Sequence, residues 1–160
     1  FYVDDILIIP SWEEVSEEDK DKMIIHIDPG TAFGTGMHET TQLCMRQLKK
    51  HVGPDTQLLD VGTGSGILSI TALKLGAAPA VGTELAPCAR SVANILAEVL
   101  VPLTPEIGKH LKPGGLYITS GILDEKEETV KNAVEAAGLL VEEITHQGEW
   151  VCITARKKRG

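Results

Sequence analysis

A glycine-rich turn between a strand and a helix is the feature that most constrains this sequence. Asp60-Val61-Gly62-Thr63-Gly64-Ser65-Gly66 follows the apolar run 57–61, which predicts a strand, and leads into the apolar run 67–75, which predicts a helix. Glycines suit such a turn because their backbone adopts positive φ and lets a ligand approach without meeting a Cβ. The segment therefore predicts an α/β fold with a ligand at the turn.

The spacing of the glycines favours a ligand without phosphates. The dinucleotide fingerprint G-x-G-x-x-G would need its third glycine at position 67, where the chain has Ile67. The compact turn favours S-adenosylmethionine over a nicotinamide cofactor, with Asp60, Gly62 and Gly64 as predicted cofactor contacts. Glu84 ends the next predicted strand, and a carboxylate there can accept both ribose hydroxyls.

Strand and helix patterns alternate along the chain. Two short apolar strands within residues 1–27 are joined by an acidic surface excursion. A helix from about Glu39 to Val52 precedes the glycine turn, because its apolar positions recur three and four residues apart. Later segments predict strands at 80–84, 92–94, 116–120, 139–145 and 150–155, helices at 96–111 and 124–137, and turns at 113–115 and 146–149. This order predicts an open, Rossmann-like α/β sheet, mostly parallel, with a C-terminal antiparallel hairpin.

Composition excludes several classes of function. A formal net charge of −8 argues against a nucleic-acid partner, because phosphate binding needs clustered Lys and Arg. The scattered cysteines Cys44, Cys88 and Cys152 predict reduced, half-buried thiols, and neither they nor the histidines show metal-ligand spacing. No run approaches the roughly 20 apolar residues that cross a bilayer, and no signal-peptide pattern is present. A single cytoplasmic domain without metal or membrane association is expected.

Longer segments around the turn resemble a known family. Asp28-Pro29-Gly30 runs through Ala32-Phe33-Gly34-Thr35-Gly36 to His38-Glu39-Thr40-Thr41, and Ala93-Asn94-Ile95-Leu96 follows later. Shorter matches extend over almost the whole chain, at 10–12, 73–77, 111–115, 120–123 and 148–150. Together these segments are similar to the ribosomal protein L11 methyltransferase family (PrmA).

The resemblance implies a class I methyltransferase fold and a specific reaction. The implied enzyme transfers methyl groups from S-adenosylmethionine to lysine side chains or the N-terminal amine of a ribosomal protein, a basic partner. Cofactor contacts are implied at Phe33, Thr41, Gly62, Glu84 and Asn94. Asn94 is also expected to orient the substrate amine, because an amide both donates and accepts hydrogen bonds. The oligomeric state is open, with a monomer as the default.

The chain departs from the family pattern in three places. We expect residues 1–160 to correspond to the catalytic domain, with 1–27 as its first strands and linker, and the family's N-terminal substrate-recognition domain to be absent. The interval from Pro87 to Val92 has no room for the helix and strand of a parallel crossover. This predicts either a segment missing between Ser91 and Val92 or a genuinely shortened chain, and the family pattern that resumes at Asn94 favours the missing segment. Ala86 replaces an aspartate that is usual in the family.

Two other functions remain open from the sequence. A class I methyltransferase that acts on a small molecule or another protein would share the cofactor and the turn. An NAD-type nucleotide-binding protein would share only the fold. Trp12 and Trp150 either border a substrate channel or pack against the core.

Overall fold

The described parts of the chain, residues 1–27, 39–61, 65–78, 80–82, 88–94 and 97–159, form two sheets and four α-helices in a computed structural model. The strands are β1 (Tyr2–Val3), β2 (Ile6–Ile9), β3 (Met23–His26), β4 (Leu58–Val61), β5 (Ala80–Gly82), β6 (Cys88–Asn94), β7 (Leu111–Leu123), β8 (Leu139–Gln147) and β9 (Trp150–Lys157). The helices are α1 (Glu39–His51), α2 (Ile67–Lys74), α3 (Ala97–His110) and α4 (Glu127–Ala136).

The larger sheet has six strands in the order β5-β4-β6-β7-β9-β8. Strand β4 is parallel to β5 and β6, and β6 is parallel to β7. Strand β9 runs antiparallel to both β7 and β8. The predicted open, mostly parallel sheet with a C-terminal antiparallel hairpin is confirmed.

Apolar side chains cover both faces of this sheet. Helices α1 and α2 pack on one face, where Leu58 and Ile118 are buried, and the small sheet β1-β2-β3 joins the same cluster. Helices α3 and α4 pack on the other face around Tyr117. Ile118 and Tyr117 are neighbours on β7 and face opposite ways, because side chains alternate along a strand.

Helix α1 has the amphipathic pattern that its sequence predicts. Thr41, Cys44 and Leu48 are all buried, as expected for positions three and four residues apart on one helix face. Glu39 in the first turn and Lys49 in the last complement the helix dipole. The helix therefore presents its first turn at a fixed place on the sheet.

The structure corrects two predicted turns. The turn expected at 113–115 lies inside β7, where the register with β6 shifts and the Arg156 guanidinium donates to the Gly114 carbonyl oxygen at 2.8 Å. The hairpin expected at 146–149 is a tighter two-residue turn, because Gln147 pairs directly with Trp150. Gly148 has φ of +59°, which allows this short connection.

The acidic segment between β2 and β3 is anchored to the small sheet through Asp19. The Asp19 carboxylate accepts hydrogen bonds from Lys22 Nζ at 2.6 Å, Ser16 Oγ at 2.7 Å and Tyr2 OH at 2.9 Å. These three donors, Lys22 foremost, lower the pKa of Asp19 to about 2. The excursion thus carries its own local hydrogen-bond network.

The connection between β5 and β6 is short. Strand β5 ends at Gly82 and β6 begins at Cys88, so only residues 83–87 join them. The two strands flank β4 and both run parallel to it, so the chain must return from the carboxyl end of β5 to the amino end of β6 and pass β4 on the way. A parallel crossover usually takes a dozen residues or more. The predicted break between Ser91 and Val92 falls inside β6, whose pairing with β7 continues through both residues.

A buried tyrosine links α3 to the sheet. Tyr117 is 0% exposed, and its hydroxyl lies 3.2 Å from Thr104 Oγ1, which donates to the Leu100 carbonyl oxygen at 2.7 Å. Burial raises the pKa of Tyr117 to about 12. The folded chain therefore favours the neutral phenol.

We expect alkaline destabilisation to depend on Tyr117. Its pKa is higher in the folded than in the unfolded chain, so its contribution to stability is complete below pH 10 and is lost as the pH rises to about 12. The loss should be roughly 3 kcal/mol, and Tyr117→Phe should remove it. Urea unfolding between pH 9 and 12 measures the difference, with Tyr2→Phe at the exposed tyrosine as control. Parallel curves for the native chain and Tyr117→Phe would contradict the assignment.

Candidate functional site

The candidate site lies where the carboxyl ends of β4, β6 and β7 meet, which we call the carboxyl edge. Asp60 lies one residue from the end of β4, and Asn94 ends β6 in register with Ser120 of β7. Asp60 pairs in register with Val92, two residues before Asn94, so all three polar residues face α1 and α2. Open α/β sheets bind ligands outside the carboxyl ends of their strands.

Thr41 and Asn94 are joined across the carboxyl edge. The Asn94 amide Nδ2 donates to Thr41 Oγ1 at 3.1 Å, although 53 positions separate the two residues. Thr41 is 1% exposed in the first turn of α1, whereas Asn94 is half-buried. Two side chains that the resemblance assigns to the cofactor therefore lie together, and each can donate and accept hydrogen bonds.

Asp60 holds the first turn of α2. Its carboxylate Oδ2 accepts hydrogen bonds from Ser69 Oγ at 2.6 Å and from the Ser69 backbone N–H at 3.2 Å. The first N–H groups of a helix lack partners within the helix, and a negative charge there is favourable. Gly66 precedes the helix with φ of +80°, which glycine adopts without a Cβ clash. Asp60 thus sets where α2 begins directly after the glycine turn.

Side-chain hydrogen bonds fix α1, and with it Thr41, against the sheet. Gln47 is 4% exposed, and its amide oxygen accepts a hydrogen bond from Thr154 Oγ1 of β9 at 3.0 Å. Arg46 Nη1 donates to the Gln147 amide oxygen of β8 at 2.6 Å. These contacts limit sliding of α1 along the sheet, so the Thr41 hydroxyl keeps its distance from Asn94.

Two thiols are buried beneath the site. Cys44 and Cys152 are free and are 0% and 1% exposed, so the prediction of half-buried thiols is wrong for both. Hydrogen bonding with Cys152 and burial raise the pKa of Cys44 well above its usual value, and the nearby Asp60 charge acts in the same direction. A thiol that stays protonated is a poor nucleophile, so Cys44 is a packing residue.

Four predicted contacts, Phe33, Gly62, Gly64 and Glu84, lie outside the described residues and stay predictions. Trp12 is 67% exposed, whereas Trp150 is half-buried and packs against the cluster around α1 and α2. Among the described residues, the ring of Trp12 is therefore packed much less than the ring of Trp150.

Two residues at the site were missed by sequence reasoning. Ser69 had a usable signal, because a serine in the first turn of a helix after a strand-end carboxylate suits a capping contact. Ser120 begins the matched segment 120–123, but the match assigned it no role, because its place beside Asn94 depends on the register of β6 and β7. Among the described residues, no group of three or more His, Cys, Asp or Glu side chains could hold a metal ion. None of the helices described here is long and apolar enough to cross a membrane.

The fold and the carboxyl edge define a class of protein, the α/β proteins with a Rossmann-like fold and a ligand edge at the carboxyl ends of their parallel strands. The solved precorrin-6y C5,15-methyltransferase from Geobacter metallireducens GS-15 matches 76% of this chain and 92% of its own, with a TM-score of 0.59 and 15% identity. At that identity the likeness shows the fold alone, which is the Rossmann-like fold expected from the sequence.

The chain belongs to the ribosomal protein L11 methyltransferase (PrmA) family. The family model matches residues 2–92 and 90–158. The crystal structure of the ribosomal protein L11 methylase from Lactobacillus delbrueckii subsp. bulgaricus matches 99% of this chain and 98% of its own, with a TM-score of 0.88 and 30% identity. The resemblance found from the motifs is therefore confirmed over nearly the whole chain.

Curated relatives are longer than this chain. The ribosomal protein L11 methyltransferase of Agathobacter rectalis is 50% identical over 98% of this chain, and that of Listeria innocua is 40% identical over 96%. The chain spans 62% and 60% of the lengths of these two relatives.

We expect Asp60 and Ser69 to stabilise the fold as a pair. Asp60→Ala should lower the free energy of unfolding by roughly 2–3 kcal/mol, because it removes a buried charged acceptor. Ser69→Ala keeps the backbone N–H contact and should cost about 1 kcal/mol. Urea unfolding of both single variants and the double variant measures the coupling. Losses that simply add would show that the two side chains act independently.

Proposed function

We propose that this chain is the catalytic domain of an S-adenosylmethionine-dependent enzyme that methylates amino groups of ribosomal protein L11. The amino groups are lysine side chains or the N-terminal amine. Family membership supports methyl transfer, and the relatives are named for this substrate. The observation that carries the proposal is the 3.1 Å contact between Asn94 and Thr41 at the carboxyl edge.

The described residues fit the proposed cofactor. Thr41 and Asn94 offer a hydroxyl and an amide to the polar groups of an adenosyl amino acid. Asp60 fixes the start of α2 directly after the glycine turn, where a ligand would approach the backbone. The proposed contacts beyond these are Gly62 and Gly64 for backbone approach, Glu84 for the ribose hydroxyls and Phe33 for the adenosine or the sulfonium.

The reaction requires mainly that the protein align the substrate amine with the methyl group and exclude water from the site. When bound, S-adenosylmethionine would supply an activated methyl group for direct displacement: a C–N bond to the neutral amine would form as the C–S bond breaks, with S-adenosylhomocysteine as the leaving group. The Asn94 amide would hold the substrate amine in line, because its oxygen can accept one amine N–H. The burial of Thr41 limits the access of water on the α1 side.

The two alternatives differ in what supports them. A class I methyltransferase acting on a small molecule or another protein would use the same edge, but the family relatives favour ribosomal protein L11. NAD-type binding is disfavoured because Ile67 occupies the position of the third fingerprint glycine.

A net charge of −8 suits a basic protein partner. The cytoplasm is the proposed compartment.

A segment missing between Ser91 and Val92, two residues that both lie within β6, is part of this proposal. The five-residue connection is short for a parallel crossover, and the two family matches overlap at residues 90–92. The alignment with the Agathobacter rectalis relative runs over 201 positions, against 160 residues here. Residues 88–91, which lie near the end of the first match, form the first half of β6 in this fold. Residues 88–91 would thus take the place of the missing part of the strand between β4 and β7.

Cofactor binding should depend on the glycine turn. The native chain should bind S-adenosylhomocysteine in calorimetry and methylate a purified mixture of ribosomal proteins. Gly62→Val should abolish binding through a side-chain clash while leaving the circular dichroism spectrum unchanged. Gly53→Ala is the matched control, because a Cβ there meets nothing within 4 Å.

Three results would contradict the proposal. Binding of NAD in place of S-adenosylhomocysteine would overturn the cofactor. Methylation confined to small molecules would overturn the substrate. Unchanged affinity in Gly62→Val would remove the turn from the site.

Restoring the crossover should strengthen cofactor binding. Inserting the corresponding Agathobacter rectalis segment between Ser91 and Val92 should tighten S-adenosylhomocysteine binding by about tenfold, or roughly 1.4 kcal/mol, by adding a wall beside β5. Calorimetry measures the change, and a glycine-serine insert of equal length is the control. Equal affinity with either insert would show that no binding wall is missing.

A further inference from the structure

Ser120 is a buried polar residue that the proposed reaction does not use. It is 0% exposed, and its Oγ makes no hydrogen bond with any described residue. A hydrogen-bonding contact from Ser120 lowers the pKa of the Cys44 thiol, but this contact falls outside normal hydrogen-bond geometry and a thiol is a weak acceptor, so it leaves the Ser120 hydroxyl poorly satisfied. A buried hydroxyl without a good hydrogen-bond partner destabilises the fold, and such groups are rare in folded proteins.

The backbone at Ser120 is irregular in a way that directs its side chain. Where β7 pairs with β9, Ser120 and Gly121 together stand opposite the single residue Cys152. Gly121 has φ of +80°, which completes this β-bulge. Bulges re-aim side chains and are frequent beside functional sites. The bulge coincides with the end of β6, at the carboxyl edge.

Asn94 is the neighbour of Ser120 in register. The two residues pair across β6 and β7 and share the face covered by α1. The Asn94 amide already uses one N–H to donate to Thr41 Oγ1. Both Thr41 and Ser120 present hydroxyl oxygens that can accept from this amide. Asn94 therefore stands between one hydroxyl that it contacts and a second hydroxyl next in register.

We propose that Ser120 is a positioning residue whose hydroxyl receives the Asn94 amide when a ligand engages Thr41. The inference rests on the proposed function, in which Thr41 and Asn94 both contact the cofactor. In the free protein the Asn94 amide N–H and the Thr41 hydroxyl oxygen are hydrogen-bonded to each other. A ligand that binds the Thr41 hydroxyl therefore displaces the Asn94 N–H. Ser120 accepts that N–H, and the Asn94 oxygen stays directed at the site.

The exchange can be tested without a ligand by a stability cycle. Thr41→Val should cost little, because the amide moves to Ser120, and Ser120→Ala should be neutral or stabilising, because it removes a poorly satisfied hydroxyl. The double variant leaves the amide with neither acceptor. Its unfolding equilibrium constant in urea should exceed the additive expectation by about fivefold to tenfold. Additive effects would overturn the proposal.

Ligand binding supplies the second test. Ser120→Ala should weaken S-adenosylhomocysteine binding by about tenfold and lower kcat for methyl transfer. Thr119→Val is the matched control, because Thr119 is also 0% exposed with an Oγ that lacks a partner among the described residues. Thr119 pairs with Ala93 on the face covered by α3 and α4, away from Asn94. It should bind the ligand as the native chain does.

The outcomes separate this inference from the function on which it rests. A native chain that binds S-adenosylhomocysteine, with Ser120→Ala and Thr119→Val binding equally well, overturns the role of Ser120 and leaves the function standing. A native chain that does not bind it overturns the proposed function and the ligand-driven exchange together. In an Asn94→Ala background, Ser120→Ala should have no further effect on binding, because Ser120 acts through Asn94.

Discussion

The shared carboxyl edge of β4, β6 and β7 is the constraint on which the rest of the structure depends. Parallel strands end on the same side of a sheet, so residues far apart in the chain arrive together there. Asp60 and Asn94 reach this edge from different strands, and Ser120 from a third. Each contributes a polar group to the face covered by α1 and α2.

Helix α1 completes the site because it is fixed at several points along its length. Its apolar stripe packs on the sheet, and the buried pair of Gln47 and Thr154 prevents a shift along it. A helix held in this way delivers Thr41 to Asn94 at hydrogen-bond distance. The hydroxyl and the amide are therefore preorganised, which lowers the cost of ordering them around a ligand.

The sheet achieves this arrangement with an unusually short return between β5 and β6. A strand between β4 and β7 is needed to carry Asn94, and residues 88–91 supply its first half. Backbone hydrogen bonding can recruit these residues because strand pairing depends far less on side-chain identity than core packing does. On the β5 side the described sheet ends without a further strand.

The sequence by itself determined the order and type of most elements, the place of the glycine-rich segment 60–66 between β4 and α2, and the single antiparallel strand β9. These follow from periodicity and turn chemistry, which act over a few neighbouring residues. Only the tertiary structure decided that β7 runs through residues 113–115 and that the final hairpin is tight. It alone placed Asn94 against Thr41 and beside Ser120, because register and helix docking depend on packing between distant segments.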